Sequence, residues 1–108
     1  MTVAPPANPH RGEIALELAT GRHVLRPSFS ALVAAEEELG PLLALVERAT
    51  AGQLRLAEMV ALFWHCLRDR DRDGVVRNDF SEDVASAGLA ACTGPLRAVL
   101  VQILQGGR

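Results

Sequence analysis

Between Arg68 and Phe80 the chain reads RDRDRDGVVRNDF, whose acidic residues carry the opening spacing of a calcium loop. Set against the EF-hand loop, Asp69, Asp71 and Asp73 fill the first, third and fifth positions, and Gly74 falls on the sharp turn. Val76 even occupies the place where an aliphatic residue is wanted. The last position should supply a bidentate glutamate, yet it is Phe80, and Glu82 comes too late. Charge opposes an ion as well. From Arg68 to Asp79 four aspartates meet four arginines, so the segment is neutral before any cation arrives. These residues favour a salt-laced connection between helices and no metal site. Weak calcium binding through Asp69, Asp71 and Asp73 is the lesser reading.

No other grouping rises to chemistry. His10, His23 and His65 fall in a tail, a strand and a helix, and His65 beside Cys66 cannot close on one metal from a helix. Glu36, Glu37 and Glu38 are consecutive, so a helix points them in three directions. Cys66 lies in an apolar stretch, where a thiol is inert. Gly21 and Gly40 stand alone and build no phosphate loop. All eleven basic residues are arginine, which excludes Schiff-base lysine chemistry. No catalysis and no cofactor are expected.

The elements that hold these residues can be read from their periods. Residues 1–10, with Pro5, Pro6 and Pro9, read as a disordered tail ahead of a single domain over 11–105. In EIALEL, Ile14, Leu16 and Leu18 alternate with Glu13, Ala15 and Glu17, the signature of a half-buried strand. Gly21 follows in a turn, and HVLRP completes a β-hairpin over 13–27. From 28 to 105 the pattern is helical. Ser28 is placed to cap a first helix, and Gly40-Pro41 ends it and starts the next, which runs to about Ala51. A third runs through LAEMVALFWHCLRD. A short fourth covers Phe80–Ala87, with Asp79 and Glu82 as a capping pair, and a last starts at Thr93-Pro95. The fold expected is α+β, mostly α: an N-terminal β-hairpin followed by four to five short helices.

Composition agrees with a helical, aliphatic unit. Hydrophobic residues make up 49% but aromatics only 4%, so Leu, Val and Ala must build the core. A net charge of −2 argues against a nucleic-acid footprint, and no apolar run approaches the ~20 residues of a membrane span. The two cysteines suit a reducing compartment, and the start of the chain lacks a signal-peptide core, so a soluble cytoplasmic protein is expected. The third helix is apolar around most of its cylinder, and the last carries a clean aliphatic stripe. Together they offer more oily surface than a domain this small hides easily. Leu56, Met59, Phe63, Trp64, Leu96, Leu100 and Ile103 are therefore the residues expected to meet a partner.

RGEIALEL, GRHVLRPSFSALVAAEEELG, LRLAEMVALFWHCLR and GLAACTGPLRAVLVQIL, over about 11–104, resemble the gene transfer agent family of small tail proteins. The Asp/Arg run lies outside the resemblance. What the resemblance implies is a tail assembly chaperone that binds the tape-measure protein while tube subunits polymerise around it. A structural protein associated with the tail tube is its alternative. The implied partners are the tape-measure protein, the tail tube protein and further copies of the chain. Neither nucleic acid nor membrane is among them.

Overall fold

The computed structural model describes Ala7 and residues 12–106. Apart from Ala7, the tail expected over 1–10 lies outside them. Two antiparallel strands, β1 (Ile14–Leu18) and β2 (Gly21–Leu25), pair with Ile14 opposite Leu25 and Leu18 opposite Gly21. Leu16 and Leu18 point inward and Ala15 and Glu17 outward, as the alternation requires. Five helices follow: α1 (Phe29–Leu39), α2 (Leu42–Thr50), α3 (Leu56–Cys66), α4 (Arg77–Ala87) and α5 (Leu89–Gln105). The architecture is α+β and mostly α.

Local chemistry sets most of the boundaries. The Ser28 hydroxyl accepts the Ala31 amide and caps α1, and Gly40, at φ 87°, ends it in a conformation that favours glycine. At α3 the Glu58 carboxylate reaches back to the Arg55 amide at 3.0 Å and also binds Arg48. Arg48 first, then the Arg55 amide, hold the Glu58 carboxyl down at about 2.

Three boundaries differ from the sequence reading. Helix α3 stops at Cys66 instead of running on to Asp69. Leu67 bridges to Leu25, the Arg26 amide donates to Cys66 at 2.6 Å, and the Arg68 amide donates to Val24 at 2.8 Å. Pairing with β2 competes successfully with another helical turn, and it also covers the end of the outer edge of β2. Helix α4 begins at Arg77, and Asp79 lies inside its first turn with no capping bond. Helix α5 begins at Leu89, so Pro95 is inside it. Cys92, Leu96, Val99 and Ile103 fall on one face, and burying Cys92 completely extends the helix upstream of the proline. Gly88, at φ 89°, turns α4 into α5 through a bend of 113°.

The core is the meeting place of β1, β2 and α3 with one face of each other helix. Phe63, Leu62, Leu16, Leu25, Leu45, Val84 and Val99 are fully buried there. Asp83 is a buried polar group that ties the hairpin turn to α4. It accepts from the Thr20 amide at 3.2 Å and from the Thr20 hydroxyl, with His23 at 3.8 Å. Glu13, also buried, pairs with Arg68 at 2.8 Å.

Candidate partner-binding surface

Helix α5 has one apolar stripe more than the core can take. Cys92 and Val99 are buried, Leu96, Leu100 and Ile103 are half-buried, and Val101 and Leu104 remain exposed. On α2, Leu42, Leu45 and Val46 turn inward. Between the two helices and the turn after α2 lies a groove of about 600 Å³. Val46, Ala49, Leu54, Leu96, Leu100 and Leu104 give it apolar walls, and Thr50, Thr93 and Arg97 add polar groups. Further apolar side chains stand in solvent elsewhere, with Phe29 85% exposed and Leu43 67%.

The residues expected to meet a partner divide three ways. Leu96 and Leu100 line the groove, Ile103 packs half-buried against the core beside them, and Leu56 is exposed at the start of α3. Met59 and Phe63 are core residues, with Phe63 at 0% exposure. The apolar excess read on α3 is spent inward, because α1 and α4 pack against it and its inner side chains join the common core. Trp64 is half-buried beneath two arginines, with Arg70 4.7 Å and Arg77 5.9 Å from its ring centre. Arg77 also binds Glu38, as does His65 Nε2 at 2.8 Å. Arg77 first, then His65, hold the Glu38 carboxyl down at about 2.

Val46, Ala49, Leu54, Val101 and Leu104 belong to the groove but are not among the residues the sequence assigns to a partner; Leu104 is read there only as part of the stripe on the last helix. The signal was present on α2, where Leu42, Leu45, Val46 and Ala49 keep helical spacing. Which part of that face stays open depends on where α5 lands.

In the acidic loop each carboxylate meets an arginine. Asp69, at φ 61°, binds Arg68 at 3.1 Å and Arg72 at 3.2 Å. Asp73 faces Arg72 at 3.5 Å, Asp71 points into solvent near Arg70, and Phe80 is in the core. Among the described residues no group of three His, Cys, Asp or Glu is placed to hold a metal ion. Cys66 and Cys92 are free and buried, and burial pushes the Cys66 thiol up to about 12. No single helix among the described residues is long and apolar enough to cross a membrane.

Residues 11–106 match the family described as phage tail tube protein, GTA-gp10. The chain belongs to this family. The tail tube family thus accounts for nearly all of the described fold, including both helices of the groove, and agrees with the gene transfer agent resemblance. Comparison with curated proteins and with solved structures finds no match.

Proposed function

We propose that the chain works at a phage-type tail tube, as a tube-associated protein that seats an apolar helical segment of another tail protein in the α2–α5 groove. The observation that carries this reading is the open aliphatic wall of Leu96, Leu100, Val101 and Leu104 in a member of a tail tube family. An amphipathic helix laid in such a groove buries its own apolar face together with these leucines. The hairpin contributes only two strands among the described residues, and Leu67 takes the end of the outer edge of β2. Contacts to other copies or to tube subunits therefore run through helix faces instead of an extended sheet. No catalysis, metal or cofactor enters this role.

A second reading, an assembly chaperone that holds the tape-measure protein and then departs, is favoured by the openness of the same groove. Aliphatic walls without tyrosine or tryptophan suit reversible contacts more than a few dominant ones. One experiment separates the two. The chain is co-expressed with the tape-measure and tube proteins, and finished particles are then assayed for it. Retention in particles supports the tube-associated role, and capture of the tape measure with absence from particles supports the chaperone. Leu100→Asp should abolish capture while the circular dichroism spectrum is kept; unchanged capture by this variant would remove the groove from either role.

A further inference from the structure

Among the described residues, Arg97 is the one charged side chain in the lining of the α2–α5 groove. It is exposed and has no ion pair among those residues. Arg22, Arg48, Arg68, Arg70, Arg72 and Arg77, by contrast, each meet a carboxylate. Its own helix cannot neutralise Arg97, because α5 carries no acidic residue from Leu89 to Gln105. Leu100, Val101 and Leu104 follow it by three, four and seven positions, so all share one side of the helix. The guanidinium thus borders the aliphatic wall. Its polar neighbours have already spent their donors. The Thr93 hydroxyl donates to the Leu89 carbonyl at 3.1 Å, and the Thr50 hydroxyl donates to the Val46 carbonyl at 2.9 Å.

Resting on the groove reading above, we propose that the occupant is an amphipathic helix whose apolar stripe is flanked by a carboxylate, and that this carboxylate pairs with Arg97. From Leu96 to Leu104 the wall is about 12 Å long, a little over two turns of a helix laid along it. A helix seated there takes water away from the guanidinium. Without an anion that desolvated charge is a cost, and a lysine in the same place adds repulsion. A carboxylate matches the planar fork of the guanidinium and replaces the lost water. The methylene stem of Arg97 then extends the apolar wall beneath it.

The test uses the full chain and three fluorescent helical peptides that share one leucine stripe and carry Glu, Gln or Lys at the positions flanking it. Binding is read by anisotropy. The Glu peptide should bind about tenfold tighter than the Gln peptide, the size of one charge-assisted contact, and the Lys peptide most weakly. The chain's net charge of −2 would by itself favour the Lys peptide, so a general field gives the reverse order. Arg97→Gln should erase the preference for Glu, and Arg97→Glu should make the Lys peptide the tightest. Arg26→Gln, at an exposed arginine outside the lining, should keep the parent order. Equal affinities, a preference for Lys, or a Glu preference that persists in Arg97→Gln would overturn the pairing. Where that binding is still lost in Leu100→Asp, the groove reading survives without it. Binding that persists in Leu100→Asp, or none by any peptide, would overturn the pairing too, while capture of the tail proteins separately decides the groove's role.

Discussion

Glu38 joins α1 to the start of α4 and the end of α3 by binding Arg77 and His65 at once. Its carboxyl titrates at about 2 in place of the usual 4.5, so between those values the unfolded chain binds more protons than the folded one. The stability this group contributes is complete above about 4.5 and is lost as pH falls toward 2. Acid unfolding of Glu38→Gln should accordingly show a flatter low-pH limb than the parent, read by Trp64 emission; an identical limb would assign acid sensitivity elsewhere. Because Glu38 is 37% exposed, solvent screening keeps its share small. At Cys66, burial alone raises the thiol to about 12, so a thiol reagent at neutral pH should label it only as fast as the chain unfolds. The pairing of Glu38 with Arg77, 39 residues apart, was not legible in the sequence. The capping role of Ser28 was, because a cap reads only the amides a turn away.

At the level of elements, α3 is the centre of the fold and α5 its most informative edge. Phe63→Ala on α3 should cost about 3–5 kcal/mol in denaturant unfolding, since the ring is wholly enclosed and its cavity cannot collapse freely. Pro95 inside α5 withholds one backbone donor and crowds the preceding turn. Pro95→Ala should therefore raise stability by about 1–3 kcal/mol, measured the same way. A loss instead would mean that a proline-shaped bend is needed to bury Cys92 and Val99 together. The helices themselves were readable because their periods are local. The start of α5 and the end of α3 were not. Each is decided by a long-range event, the burial of Cys92 in one case and the bridge from Leu67 to Leu25 in the other.

For the molecule as a whole, the oily surplus is real but sits elsewhere than α3 suggested. Phe29, Leu43, Leu89, Val101 and Leu104 remain exposed while Met59 and Phe63 are enclosed. A helical partner that binds only the folded chain raises its melting temperature by mass action. A tape-measure or tube fragment that fills the α2–α5 groove should thus raise Tm with its concentration, and the rise should vanish in Leu104→Asp. The sequence by itself determined the α+β class, the hairpin, the helical segments and the mutual neutralisation of the acidic loop, because periodicity, caps and adjacent opposite charges act over a few residues. Only the tertiary structure decided which apolar face stays open and which distant charges pair, as Glu38 does with Arg77. A helix's sequence shows how much of it is oily, and the packing of its neighbours settles what they cover.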